Sequence, residues 1–163
     1  MSIHHLKQEQ FLPINLSEAW QFFSNPRNLE DITPPTLKFQ ILKVSLDKTI
    51  YEGQIIHYRI RILPFIWVHW LTEITKVHDH VFFIDDQRIG PYSFWHHQHQ
   101  FREVEGGVEI QDAVTYALPF GWLGDLAHRF FVRRQLQEIF SHRRRVLANR
   151  FRGDIFELNK ILS

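Results

Sequence analysis

Hydrophobic and polar positions alternate with a period of two through the middle of the chain, then give way to a helical period near its end. Residues Gln54 to Leu63 alternate most cleanly, with Ile56, Tyr58, Ile60 and Ile62 on one face and His57, Arg59 and Arg61 on the other. The same reading predicts strands over His4–Leu12, Leu37–Leu46, Trp67–Val77, Val81–Ile89, Phe94–Val104 and Val108–Leu118. Turn residues separate them: Pro13, Glu52-Gly53, Pro64, His78-Asp79-His80, Gly90-Pro91 and Glu105-Gly106-Gly107. Between the first two strands the pattern predicts a short helix, Glu18–Phe23, with Ser17 as its N-cap. A second short helix is predicted from Pro26 to Glu30, and Pro34-Pro35 then reads as extended.

From Trp122 to Phe151 the period is helical. Leu123, Leu126, Phe130, Leu136, Phe140, Leu147 and Phe151 fall on or near one stripe, and Arg129, Arg134, Gln137, Glu138, Arg144 and Arg145 lie opposite. At ~1.5 Å per residue such a helix is roughly 45 Å long and needs a large apolar partner. Seven strands, the last six joined in a row by short turns, supply one as an antiparallel sheet. The predicted fold is therefore α+β: a helix-grip fold, a seven-stranded curved antiparallel sheet with two short helices and a long C-terminal helix enclosing a cavity.

Composition narrows this picture. The 163 residues suit one domain spanning 1–163. Fifteen Phe, five Trp and four Tyr provide an aromatic interior. A formal charge of +1 gives no global field toward nucleic acid or acidic lipid. The absence of Cys excludes disulfides and thiolate chemistry and fits a cytoplasmic setting. The first ten residues are too polar for a signal peptide, and no apolar run reaches the ~18 residues of a membrane helix.

Several local motifs resemble those of the START and birch-pollen-allergen superfamily (SRPBCC). They are Asn28-Leu29 with Ile32-Thr33-Pro34-Pro35, Phe83-x-Asp85-x-Gln87, and Gly90-Pro91-Tyr92 with Trp95-x-His97-x-His99-x-Phe101. Asp112-x-Val114-x-Tyr116-x-Leu118-Pro119-Phe120-Gly121 and Ile139-Phe140 with Arg143 complete the set. Together they resemble a bacterial single-domain branch whose members are described as ligand-binding or as polyketide cyclase/dehydrase-like. The resemblance implies a cavity between sheet and helix, with the Pro34-Pro35 and Pro119–Trp122 loops at its mouth.

Strand parity supplies the candidate chemistry. Val108, Ile110, Asp112, Val114, Tyr116 and Leu118 share a face, so a carboxylate interrupts an apolar file, where an unpaired charge is costly. Trp95, His97, His99 and Phe101 share a face of the preceding strand, and Phe83, Asp85, Gln87 and Ile89 one of the strand before that. If these strands are neighbours, Asp85, Gln87, His97, His99 and Asp112 form a polar belt that orients a ligand's head. Tyr58, Trp95, Phe101, Tyr116 and Phe130 then supply apolar walls. The alternative is a satisfied polar network with no ligand.

His97 and His99 with Asp85 or Asp112 also make a two-His, one-carboxylate set, but strand pairs of His are common without metal, and no metal or cofactor is expected. A His–Asp pair in a cavity is suited to enolising or dehydrating a carbonyl compound. No nucleophile, oxyanion hole, phosphate loop or dinucleotide fingerprint accompanies it, so no catalytic residue is assigned. The arginines of the last helix read as a solvated face, except Arg133 and Arg143, which lie close to the stripe and can meet a carboxylate. The expected partner is a hydrophobic small molecule, lipid, polyketide or isoprenoid-like, with no nucleic acid and no stable membrane insertion. The alternative function is a cofactor-independent cyclase or dehydratase. The third possibility is an interaction protein with a filled core, and the oligomeric state is open.

Overall fold

The computed structural model describes residues 2–44, 49–63 and 65–161, with side chains through Phe151. Leu46 and Pro64, placed above in a strand and a turn, lie outside the described residues, as does the Arg152 side chain. The strands are β1 (Ile3–Leu12), β2 (Gln40–Lys43), β3 (Ile55–Leu63), β4 (Ile66–His78), β5 (Phe82–Ile89), β6 (Phe94–Val104) and β7 (Gly107–Ala117). They form one sheet in the order β1-β7-β6-β5-β4-β3-β2. Every neighbouring pair is antiparallel, so β2 to β7 are a meander and β1 closes onto its last strand. This is the helix-grip arrangement.

Helix α1 spans Leu16–Phe23 and starts earlier than the sequence suggests, because Asn15 and not Ser17 is the cap. The Asn15 side chain accepts from the Glu18 amide at 2.8 Å. Two 3₁₀ turns follow, Pro26–Leu29 and Pro35–Leu37. Proline with φ fixed near −65° opens each of them, so Pro35 initiates a turn where an extended segment was expected.

The last helix is not one uniform cylinder. Helix α2 (Trp122–Ala127) passes through a π-helical turn (His128–Val132) into α3 (Arg133–Ile161). The extra residue in that turn shifts the side-chain stripe by roughly 100° relative to an unbroken α-helix. Beyond the turn the expected stripe is inward: Leu136, Phe140, Leu147 and Phe151 are buried. Before and within it, the inward face carries Gly124, His128 and Val132 instead. Leu123, Leu126 and Phe130 point to solvent, which corrects their placement against the sheet. Gly124 suits this approach, since a Cβ there would lie 2.2 Å from the Pro119 carbonyl oxygen.

β1 also holds the helix by hydrogen bonds. The Gln8 and Gln10 amides donate to the Phe140 and Arg144 carbonyls at 3.3 and 2.9 Å, which explains the polar side chains of that strand's inward face. Among the described residues no helix is long and apolar enough to cross a membrane.

Candidate functional site

A charged layer divides the interior. On one side Trp20, Phe23, Phe83 and Phe101 make edge-to-face contacts, with Ile110 and Leu147 in the same cluster. On the other, Trp70, Trp95, Val114 and Phe140 form a second cluster. Each element that crosses the boundary changes character there. β7 runs Ile110, Asp112, Val114; β6 runs Phe101, His99, His97, Trp95; α3 runs Leu147, Arg143, Phe140. The register pairs His99 with Asp112 and His97 with Asp85, so β5, β6 and β7 bring their polar residues to one level.

Each imidazole bridges both carboxylates. His99 Nε2 lies 2.8 Å from Asp85 Oδ2, and His99 Nδ1 lies 2.8 Å from Asp112 Oδ1. His97 Nε2 is 3.1 Å from Asp112 Oδ1, and its Nδ1 is 3.4 Å from Asp85 Oδ2. The two rings are 3.8 Å apart at their centroids. Arg143 reaches in from the helix, with a terminal nitrogen 3.4 Å from Asp112 Oδ1 and its guanidinium over the Phe23 ring.

The electrostatics follow from this geometry. Burial pushes the Asp112 carboxyl up, but Arg143 and the bonds from His97 and His99 outweigh it and hold the group well below the usual range. Asp85 is likewise raised by burial, and His97, His99 and Arg143 bring it below its ordinary value. The imidazoles move in opposite directions. Burial and the neighbouring His99 lower His97. Burial also opposes protonation of His99, but its bonds to Asp112 and Asp85 prevail and raise it. His97 Nε2 meets Asp112 and His99 Nε2 meets Asp85 at hydrogen-bond distance, and a terminal nitrogen of Arg143 also lies 3.4 Å from His99 Nδ1. The Arg143 guanidinium offsets one of the two buried carboxylates, and the His99 imidazole between them is the group whose protonation offsets the other.

This layer forms one wall of a pocket of about 190 Å³ between the sheet, α3 and the segment from Asn25 to Phe39. That is smaller than the ~300–1,000 Å³ of common small-molecule sites. Five of the ten residues singled out from the sequence line it: Tyr58, Asp85, Trp95, His97 and His99. The other five sit elsewhere. Asp112 lies behind the imidazoles and fixes them. Phe101 packs in the aromatic cluster beyond the charged layer. Tyr116 turns to His128, its hydroxyl 2.9 Å from Nε2. Gln87 shares the predicted face but clamps the Gly90–Tyr92 turn, donating to the Tyr92 carbonyl at 2.7 Å. Phe130 is corrected outright: it is 73% exposed, because the π turn rotates it away from the sheet.

Two lining residues gain importance from their atoms. The Arg143 Nε–H and the Trp70 Nε1–H are buried and have no acceptor among the described residues. Arg143 was legible as a cation near the stripe. Trp70 was not separated from core, although it shares the inward face of β4 with Thr72. Tyr92, whose hydroxyl burial pushes up in pKa, also lines the pocket and came from a turn that alternation does not describe.

Asp85, His97 and His99 each offer one ligand atom, all within 4.8 Å of one another. The donor types suit a first-row divalent ion. Each donor already faces a protein partner, however, and the Arg143 guanidinium supplies positive charge at the same place.

No family model matches the chain, and no curated protein matches it in sequence. Solved structures do. The chain is similar to the Zhui aromatase/cyclase from Streptomyces sp. R1128, with a TM-score of 0.71 and 11% identity over 94% of this chain and 96% of that one. It is similar to TTHA0849 from Thermus thermophilus, with a TM-score of 0.69 and 16% identity over 93% and 99% of the two chains. Ara h 8.0201 matches with a TM-score of 0.59 and 12% identity over 91% and 99%. The chain therefore shares the helix-grip fold of these structures, the fold that the resemblance implied.

Proposed function

We propose that the chain binds a compact, largely apolar small molecule bearing a carbonyl or carboxylate, held between sheet and helix. The observation that carries this reading is the pair of buried donors, Arg143 Nε–H and Trp70 Nε1–H, on residues that line an otherwise apolar pocket. A buried donor without an acceptor is costly, so an oxygen acceptor on the occupant is the natural complement. Tyr58, Trp70, Trp95 and Phe140 offer ring faces and edges to its body. His97, His99 and Arg143 offer the polar contact. At about 190 Å³ the pocket suits one or two fused rings better than a long acyl chain.

The test is native mass spectrometry of freshly purified protein, followed by denaturing extraction, together with titration of naphthoate as an aromatic carboxylate probe. An organic adduct or saturable naphthoate binding that Arg143→Gln weakens at least roughly tenfold is expected. A clean apo mass together with no saturable naphthoate binding overturns the reading and favours a filled, ligand-free core.

A second reading, a cofactor-independent cyclase or dehydratase, has its own observation. Adjacent imidazoles whose proton affinities are driven apart are an acid–base pair in waiting. His97 would accept a proton from the carbon next to a bound carbonyl and return one to it, and the unpartnered Arg143 Nε–H would support the intervening enolate oxygen. The aromatase/cyclase among the similar structures fits this idea. It predicts hydrogen–deuterium exchange at that carbon of a bound aryl ketone, seen by NMR and lost in His97→Gln. Exchange no faster than in buffer overturns it.

A further inference from the structure

Exposed apolar side chains collect at one end of the molecule. Ala117 at the end of β7 pairs with both Ile3 and Phe94, and the Ser93 amide donates to its carbonyl at 3.0 Å. Ile89 pairs with Leu71, and the β3–β4 hairpin runs on past that level to the Leu63–Ile66 pair. The Gln135 amide donates to the Ile62 carbonyl at 3.2 Å and ties that hairpin to the start of α3. The hairpin tip, the β5–β6 turn and the first turns of the last helix are therefore one end of the fold.

Two tips of this end project aromatics. On the hairpin, Phe65 is 95% exposed and is followed by the exposed Ile66 and Trp67. At the helix start, Phe120 is 80% and Trp122 is 74% exposed, next to Leu123. Phe65 and Phe120 both have positive φ, 69° and 67°. That backbone is costly for a bulky L-residue, and neither ring gains compensating burial. A turn selected only for the fold would carry Gly or Asn there.

Cations accompany the aromatics. The Arg59 guanidinium lies 4.8 Å over the Trp67 ring, and that of Arg129 lies 5.9 Å from the Phe130 ring. Arg88 and Arg134 are paired with Glu73 and Glu138. Arg129 and Arg133 have no carboxylate partner among the described residues. The chain's formal charge is only +1, so this excess is local. Separated aromatic tips with arginines just behind them match the layering of a bilayer surface, where amphipathic rings sit at headgroup depth and guanidinium groups meet phosphates.

We propose that this end is a docking surface for anionic lipid bilayers, engaged peripherally through Phe65, Trp67, Phe120 and Trp122 with Arg129 and Arg133 on headgroup phosphates. The inference is independent of what the pocket holds. Ile62, Pro91 and Tyr92 line the pocket from this same end, so docking would bring it close to the lipid.

The test is flotation of the full chain with vesicles of phosphatidylglycerol and phosphatidylcholine in equal parts, against pure phosphatidylcholine. The wild type is expected to float with the anionic vesicles, and binding is expected to fall in about 0.5 M salt, where charges are screened within a few ångströms. The double variant Phe65→Asn with Phe120→Asn places Asn where positive φ favours it, so its melting temperature should hold or rise. Its affinity for anionic vesicles should fall at least roughly tenfold. Arg129→Gln should weaken only the anionic binding. Failure of the wild type to float, or equal flotation of the folded double variant, overturns the proposal. So does a concentration-dependent dimer, seen by analytical ultracentrifugation without lipid, that the double variant abolishes, since the surface would then face a second copy of this chain.

Discussion

Arg143 is 7% exposed and Trp122 is 74% exposed, although both belong to the same helical run and hydrophobicity alone would exchange them. The difference lies in what each part of the run meets. Past the π turn, α3 lies over three strands that each contribute a polar residue at one level. A guanidinium is tolerated there because Asp112, Asp85 and the imidazoles compensate it. Up to and through the turn, the run meets the sheet side with Gly124 of α2 and with His128 and Val132 of the π turn, and the large apolar side chains of α2 are turned out. Burial in this helix is decided by phase and by partners more than by hydrophobicity. An exposed Trp in such a helix need not be a packing fault, and a buried Arg need not be a weakness.

The contrast breaks most severely at Asp112. Replacing it with Ala leaves Arg143 without its carboxylate and each imidazole with one of its two, and should cost about 3–5 kcal/mol in urea unfolding. Arg143→Met should cost about 3 kcal/mol alone. The double variant should lose less than the sum, because the second change removes a charge the first had stranded. Additivity within ~0.5 kcal/mol would mean the two are not coupled.

The π turn is the next largest test. Deleting Phe131 removes one residue together with its ~100°, so a continuous α-helix should re-form with α2 in its present phase and the Tyr116–His128 bond kept, at a change of no more than about 1 kcal/mol in unfolding free energy. Tryptophan emission should not move, because Trp122 stays exposed. A blue shift would show that α2 had turned and that the π turn does not set its phase.

The charged layer also sets the pH response. Asp112 and Asp85 are held below 3.8, so their contribution is present above that value and is lost as pH falls through the folded pKa. His97 is held below 6.5, so protonating it in the folded state is unfavourable and stability declines as pH falls below 6.5. His99 is raised above 6.5, so its contribution is full below that value and is lost as pH rises through its folded pKa. Stability should thus fall on the acid side of neutrality in Asp112-intact protein, and His99→Gln should remove the alkaline decline. A melting temperature flat from about pH 4 to pH 9 would contradict these directions. The smallest expected effect is at the exposed face: Trp122→Ser and Phe130→Ser should each change unfolding free energy by no more than ~0.5 kcal/mol.

Much of the fold was legible because its rules are local. Alternation over β3, β4, β6 and β7 predicts the strands within a few residues, and Glu105-Gly106-Gly107 and His78-Asp79-His80 mark hairpins that the structure has. The carboxylate at Asp112 and the histidines at 97 and 99 stood out because their parity sets them among apolar neighbours. β2 was overestimated, and its expected end lies outside the described residues.

The sequence by itself determined the strand faces, the meander, the placing of a long helix on the sheet and the identity of the charged residues turned inward. Those depend on periods of two and 3.6 and on turns a few residues long. Only the tertiary structure decided which inward residues reach the pocket. Gln87 and Asp85 share a face, yet one clamps a turn and the other lines the pocket. It also decided that Arg143 completes the layer of Asp85, His97, His99 and Asp112, and that Phe130 leaves it. Register between strands and the phase of a helix across a single π turn are sums over many weak contacts distant in sequence, and no local pattern carries them.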